Sequence, residues 1–219
     1  MITFKEIKKS EEIRTYIRKA DESLTALGFT EHSFAHVGKV ADIAGYILRT
    51  RGYPEREAEL AQIAGYLHDI GNVINRVDHA QSGAVMAFRI LDRMGADAED
   101  TATIITAIGN HDEHTSYPVN PVAAALILAD KTDVRRSRVR SKSTIEFDIH
   151  DRVNYAVTES AVEINEDKTE IILVVTIDTT ICSLMDYFEI FLGRMVLCRK
   201  AADKLGLNFG LVINGQRMV

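Results

Sequence analysis

The stretch Ile63-Ala-Gly-Tyr-Leu-His-Asp-Ile-Gly71 decides the fold of this chain. Apolar and small residues lead directly into a histidine and an aspartate, although a buried carboxylate is unfavourable unless it is paired or coordinates a cation. Neighbouring side chains inside a helix diverge by about 100°, whereas a helix that ends at Gly71 lets those of His68 and Asp69 converge. The stretch therefore predicts a buried helix that ends in a metal site.

Three further polar residues share this apolar setting. Asp130 ends the apolar run 122–129, His36 begins an apolar stripe at helical spacing, and His111 follows another predicted helix. A set of ligands that mixes imidazole and carboxylate groups is typical of a divalent or iron-type metal site. The sequence therefore predicts an enzyme before any comparison is made.

Composition narrows the alternatives. The chain has 219 residues and is 46% hydrophobic, enough for one large domain or a domain with a small appendage. The net charge of −6 gives no support for a nucleic-acid partner. The two cysteines are too few for a disulfide framework, which favours the cytoplasm. The start of the chain lacks a signal peptide's apolar segment, and no run of about 18 apolar residues predicts a membrane span.

Helices are predicted throughout residues 1–142 from caps, glycine stops and apolar spacing. The predicted helices run from Ser10 to Gly28, Glu31 to Arg51, Pro54 to Gly71, Asp78 to Gly95, Asp97 to Ile108, and Asn120 through Asp130.

The pattern changes after residue 143. β-branched runs at 161–165 and 170–177 predict a hairpin, followed by an amphipathic helix over 183–205 and a short strand over 208–214. We therefore predict a mainly α fold, with a helical bundle over 1–142 and a small α+β C-terminal subdomain over 143–219. A three-stranded sheet would lie under the long helix, whose apolar face is either the cover of the sheet or the surface of a homodimer.

His36, the His68-Asp69 doublet and Asp130, in this order, resemble the HD-domain superfamily of metal-dependent phosphohydrolases over about residues 31–140. The resemblance implies an HD-domain helical bundle in which these four side chains hold one metal ion.

The His-Asp-Ile-Gly form of the doublet and the later His79 resemble the branch of this superfamily that has extra histidines. That resemblance implies that His79 and His111 complete a second metal centre, bridged by Asp69, which then takes part directly in catalysis. It implies two divalent ions, iron or manganese first, with magnesium, zinc, nickel or cobalt as alternatives. Asn72 stands where the branch that hydrolyses cyclic dinucleotides has a lysine, which argues against such a substrate.

A basic segment follows Asp130 directly. Residues 131–142 carry six cationic side chains and one acid. The forked guanidinium group of arginine suits phosphate. Lys131 and Arg135 are best placed to bind a phosphate group, while the other four cationic side chains fit a solvated face. His32, one turn before His36, contacts either the substrate phosphate or a third metal, or else is an exposed residue at the helix entry.

These observations predict a metal-dependent phosphohydrolase, a phosphatase or phosphodiesterase, that acts on a nucleotide or another small phosphate ester through a metal-activated water. Two alternatives use the same ligands. One is a di-iron oxygenase of the same superfamily, and the other is a sensor that binds metal and nucleotide without turnover.

Overall fold

The computed structural model describes residues 1–113, 116–140 and 148–219. Its first part is helical, with α1 (Phe4–Lys9), α2 (Glu11–Ala26), α3 (Phe34–Thr50), α4 (Glu55–Leu67), α5 (His79–Arg93), α6 (Ala98–Gly109) and α7 (Pro121–Lys131). Its second part contains α8 (Ile149–Ala156), β1 (Val157–Ile164), β2 (Glu170–Ile177), α9 (Leu184–Lys204), β3 (Asn208–Ile213) and β4 (Gln216–Arg217). The predicted fold class, a helical bundle with a small α+β unit, is confirmed. Among the described residues, no helix is long and apolar enough to cross a membrane.

The predicted N-terminal caps account for several helix boundaries. Ser10, Asp97 and Asn120 each precede a helix and accept a hydrogen bond from a backbone N–H of its first turn. Asp78 also precedes its helix, but it adopts a left-handed conformation, with φ of 56°, and makes no side-chain cap. Such caps satisfy backbone donors that have no partner inside the helix.

Several elements differ from the prediction. The helix that carries the doublet ends at Leu67 rather than Gly71, and a 3₁₀ turn spans Ile70–Val73. Helices α1 and α8 were not predicted, because helices this short are stabilised mainly by packing. The Thr3–Glu6 capping box of α1 was visible in the sequence.

The sheet has the order β1-β2-β3-β4. β1 and β2 form the predicted antiparallel hairpin, whereas β2 and β3 pair in parallel, so α9 is the crossover between them. The predicted third strand is present, and the two-residue β4 adds a fourth that was not predicted.

Helix α9 packs against the sheet and also against α7. Phe191, Met195 and Cys198 of α9 are buried there, and the buried apolar residues of both parts form one continuous cluster. The predicted domain boundary at residue 142 falls within 141–147, outside the described residues, and stays a prediction.

Candidate metal centre

Six side chains from five helical segments meet at one end of the bundle. They are His36 near the start of α3, His68 and Asp69 just after α4, His79 at the start of α5, His111 after α6, and Asp130 near the end of α7. Five of the six are buried, and the Asp130 side chain is 12% exposed. The structure thus brings together all six residues that the sequence and the family resemblance nominated as ligands.

Glycines allow this convergence. Gly65 lies against the backbone of α3, where a Cβ would stand 2.9 Å from the Cα of Ala41. Gly71 lies against the start of α5, and a Cβ there would stand 2.0 Å from the carbonyl oxygen of His79. Because neither glycine carries a side chain, α3 and α5 approach closely enough to bring their histidines to the doublet.

The first group of ligand atoms surrounds Asp69 Oδ2 and Asp130 Oδ1. His68 Nε2 lies 3.2 Å from Asp69 Oδ2 and 3.6 Å from Asp130 Oδ1. His36 Nε2 lies 3.6 Å and 3.4 Å from the same two oxygens. Ligands on neighbouring corners around a metal stand about 3.0–3.5 Å apart, because metal–nitrogen bonds are about 2.1 Å long. The spacing of this group suits a single ion.

The second group lies on the other oxygen of Asp69. His79 Nε2 is 3.5 Å from Asp69 Oδ1 and 3.2 Å from His111 Nε2. The two carboxylate oxygens of Asp69 therefore face different groups of ligand atoms. Donor atoms of His68, Asp69 and His111 also lie within 4.8 Å of one another, so the two groups share a boundary.

All four histidines are fixed through the ring nitrogen that faces away from the centre. The Nδ1 of His36 bonds to Asp133 Oδ2 at 2.8 Å. The other three Nδ1 atoms bond to carbonyl oxygens: His68 to Gly65 (2.8 Å), His79 to Arg76 (3.0 Å) and His111 to Ile108 (2.6 Å). With Nδ1 donating, the Nε2 of each ring is directed at the centre, as in metal-binding histidines.

Three atoms at the centre make no hydrogen bond to the described residues. They are His36 Nε2, His68 Nε2 and Asp69 Oδ2, all buried. A buried polar group left without a partner costs about 1–3 kcal/mol. A bound cation would satisfy all three, so the donor set fits a metal ion.

The electrostatics of the centre also favour a positive charge. Burial opposes ionisation of Asp69 and Asp130, yet His68 beside the first and Lys131 beside the second hold both pKa values well below the usual range. Burial likewise opposes protonation of His68, but Asp69 and Asp130 outweigh it and raise its pKa to about 10. Burial lowers the pKa values of His79 and His111. It therefore favours the neutral imidazole, whose Nε2 lone pair can bind a metal ion.

Two supporting residues were not predicted from the sequence. The fully buried Asp133 carboxylate binds His36 Nδ1, Lys39 Nζ at 2.9 Å and Arg135 Nε at 2.9 Å. Asn72 Nδ2 donates to Asp69 Oδ1 at 2.9 Å and orients that carboxylate. The only sequence signal for Asp133 was a lone acid inside the basic segment.

A cavity of about 280 Å³ opens onto the cluster. The predicted residues His32 and Lys131 line it, and so do several unpredicted residues, among them the basic side chains Arg76, Arg138, His150 and Arg194. His32 is half-buried rather than exposed, and its Nδ1 bonds to the Thr30 carbonyl oxygen at 2.7 Å. In the neutral ring of His32, Nδ1 therefore carries the proton and Nε2 can accept a hydrogen bond. His150 of α8, which lies outside the ligand pattern of the sequence, is exposed and also lines the cavity.

Most of the basic segment binds protein groups rather than solvent. Arg135 donates to Asp133 and Glu31 and is not among the residues that line the cavity. Its contact with substrate stays a prediction that this geometry does not support.

Arg136 donates to the carbonyl oxygen of Tyr155, and Arg140 to that of Phe29. Lys142 and His114 lie outside the described residues.

The six clustered residues lie within the part of the chain that matches a known family model. Residues 33–135 match the family model described as HD domain. A solved structure, a predicted HD superfamily hydrolase from an uncultured Thermotogales bacterium, is 28% identical, with a TM-score of 0.45, and the match covers 57% of this chain and 67% of that one. No curated protein matches the chain at a significant level.

Proposed function

The chain belongs to the HD-domain superfamily through residues 33–135, and on that premise we propose that it is a metal-dependent phosphohydrolase acting on a small phosphate ester. The observation that carries the proposal is the arrangement of the inward-facing Nε2 atoms around the two oxygens of Asp69. His36, His68, Asp69 and Asp130 hold one ion in this proposal. His79 and His111 hold a second, with Asp69 shared between the two.

Each part of the chain has a distinct role in this proposal. Divalent ions in such a site polarise phosphoryl oxygens and lower the pKa of water, which makes a nucleophile available near neutral pH. The four Nδ1 contacts keep the imidazoles in the tautomer that binds metal. Asn72 donates to Asp69 Oδ1 and orients that carboxylate, which the two ions would share.

The cavity is suited to a small anionic substrate. Its volume of about 280 Å³ is at the lower end for ligand pockets. Lys131 lines it and lies 2.8 Å from Asp130 Oδ2, next to the proposed first ion. Within the proposal, Lys131 and His32 contact the substrate, whose phosphate group lies next to the ions.

The first test concerns metal content. Protein purified without oxygen and saturated with manganese should contain two ions per chain by elemental analysis. An Asp69→Asn variant should lose most of both, because it removes the shared negative charge, while its far-ultraviolet circular dichroism stays unchanged. An Asp100→Asn variant, which alters an ion pair with Arg56 away from the cavity, is the matched control. One ion per chain at saturation would contradict the dinuclear assignment.

The second test separates hydrolase from oxygenase, which ligand substitutions cannot do. Hydrolysis needs a Lewis acid, which a redox-inert ion can supply, whereas oxygen chemistry needs iron that changes valence. Manganese-loaded protein should therefore release phosphate from at least one member of a panel of phosphorylated metabolites under strict anaerobic conditions. Activity that appears only with iron, and consumes oxygen in step with product, would overturn the hydrolase proposal and favour the oxygenase.

A further inference from the structure

Arg138 is a buried guanidinium on the wall of the cavity. It is 5% exposed, and two segments of backbone fix its orientation. Its Nε donates to the Glu31 carbonyl oxygen at 2.9 Å, and its Nη1 donates to the Asp133 carbonyl oxygen at 2.8 Å. Its Nη2 has no partner among the described residues. This arginine is therefore held rigidly, with one donor nitrogen still available.

Three cationic side chains converge on the Asp133 carboxylate behind the cavity. Lys39, Arg135 and Arg138 all lie within 4.0 Å of Asp133, and Glu31 supplies the second carboxylate, 3.4 Å from Arg135. Among the described residues, three cations thus share two carboxylates. The side chains of Lys39 and Arg135 are 33% and 22% exposed, so water can solvate them, whereas that of Arg138 is 7% exposed. Arg138 is therefore the least solvated of the three cations, and it lines the cavity.

The position of this charge connects it to the metal ligands. Asp133 Oδ2 lies 3.8 Å from Arg138 Nη1 and 2.8 Å from His36 Nδ1, so a single carboxylate contacts both side chains. Burial lowers the pKa of Arg138, and the charges of Asp133, Asp130 and Asp69 act against that shift. A buried ion is unfavourable unless it is paired. An anion in the cavity would complete the pairing of Arg138.

The charge of the whole cavity indicates which anion. Among the described residues, four lysines and arginines and six aspartates and glutamates line it, leaving an excess of two negative charges. Two divalent ions would change this to an excess of two positive charges. A phosphate monoester near neutral pH carries close to two negative charges, whereas a diester carries one.

We propose that Arg138 anchors the phosphoryl group of the substrate through Nη2, and that the substrate is a dianionic phosphate monoester. The identity of the anion rests on the proposed phosphohydrolase function, while the existence of an anion site at Arg138 does not. Arg138 thereby takes the role that the sequence suggested for Arg135. Lys131, on the same cavity, is a second cation for the same group.

The test measures binding of inorganic phosphate to the manganese-loaded protein by isothermal titration calorimetry. Arg138→Gln should weaken phosphate binding about 10- to 100-fold, the usual effect of losing a charge-assisted hydrogen bond. Arg138→Lys, which keeps the charge, should recover part of the loss. Arg136→Gln is the matched control, because Arg136 donates to Tyr155 and lies outside the cavity lining. Circular dichroism and manganese content verify that each variant is folded and loaded.

A second measurement does not depend on the variants. Tungstate, an anomalous scatterer that resembles phosphate, should appear in crystals of the loaded wild-type protein within hydrogen-bond distance of Arg138 Nη2. Tungstate found only elsewhere, or unchanged phosphate affinity in folded Arg138→Gln, would overturn the anchor.

Turnover assays test the substrate class separately. The loaded enzyme should hydrolyse p-nitrophenyl phosphate in preference to bis(p-nitrophenyl) phosphate, and a preference for the diester would overturn the monoester assignment. If neither ester nor any metabolite is hydrolysed while Arg138→Gln still weakens phosphate binding, the anion site stands and the phosphohydrolase proposal fails.

Discussion

Asp133 illustrates how much of the centre depends on residues that are not ligands. Its fully buried carboxylate orients His36 and also pairs with Lys39 and two arginines. Groups behind a ligand fix its tautomer and direction, and their loss typically lowers metal affinity 10- to 100-fold. Asp133 therefore connects the metal centre to the basic segment that follows it.

We expect Asp133→Asn to weaken manganese binding about 10- to 100-fold, because the neutral amide holds the His36 imidazole less firmly. The same substitution leaves cations unpaired and should lower the free energy of unfolding by about 3 kcal/mol. Manganese titration and urea unfolding measure the two effects.

Asp100→Asn provides the comparison for this experiment, because it weakens an ion pair with Arg56 and leaves the metal ligands untouched. It should change stability without changing manganese affinity. Equal manganese affinity in the Asp133→Asn variant and the unmodified protein would show that Asp133 does not position His36.

The sequence and the family resemblance nominated the six residues that the structure brings together, whereas the residues that support them were not predicted. A histidine or carboxylate in an apolar run is conspicuous, since burial without a partner is unfavourable. Asp133 and Arg138 have no such signal, because both stand in a segment that resembles a solvated basic face. Their roles arise when residues 133–138 fold back onto Glu31 and the start of α3, a contact that local sequence patterns do not encode.

At the scale of elements, the end of α4 shows the limit of periodicity. The apolar pattern predicted a helix through Gly71, but the helix ends at Leu67 and a tighter turn follows. The His68 ring bonds to the Gly65 carbonyl oxygen, and Asn72 bonds to that of Asp69. Such bonds from side chains to the backbone reshape a helix end, and they are not visible in the spacing of apolar residues.

Gly71→Ala tests whether the close approach of α5 to this turn is needed. The new methyl group would stand 2.0 Å from the His79 carbonyl oxygen, so α5 would have to move. We expect a loss of about 3 kcal/mol in the free energy of unfolding, together with loss of the ion that the proposal assigns to His79 and His111. Urea unfolding and manganese stoichiometry measure these two changes.

Gly38→Ala is the matched substitution inside α3, where a Cβ would meet nothing within 4 Å. It should stabilise the protein by about 0.5–1 kcal/mol, since alanine loses less backbone entropy in a helix. If both variants unfold alike, the contact between Gly71 and α5 does not determine the geometry of the site.

At the scale of the whole molecule, α7 connects the two parts. Its apolar residues 122–129 are all buried, and the helix packs against α3, α4, α6 and α9. The sequence predicted the strands and the long helix from their periodicities, but the parallel pairing of β2 with β3 depends on where α9 crosses the sheet. Arg194 of α9 lines the cavity, so the C-terminal part also contributes to the site.

The continuous core predicts that the chain unfolds as one cooperative unit. Far-ultraviolet circular dichroism reports mainly on backbone helices, while near-ultraviolet circular dichroism reports on packing around the tyrosines, of which five lie within residues 1–142 and two, Tyr155 and the fully buried Tyr187, lie in the C-terminal part. The chain has no tryptophan to complicate this signal. Because one core spans both parts, the two thermal transitions should coincide.

Manganese should raise this shared transition, since a ligand that binds only the folded state at about 100 times its dissociation constant adds about 2.7 kcal/mol of stability per site. The chelator EDTA should reverse the shift, and Asp69→Asn should abolish it, because the buried donor atoms around Asp69 would no longer gain a cation. If the two signals melt at different temperatures, or manganese shifts only one of them, the chain does not unfold as one unit, and Arg194 approaches the cavity without being fixed by a common core.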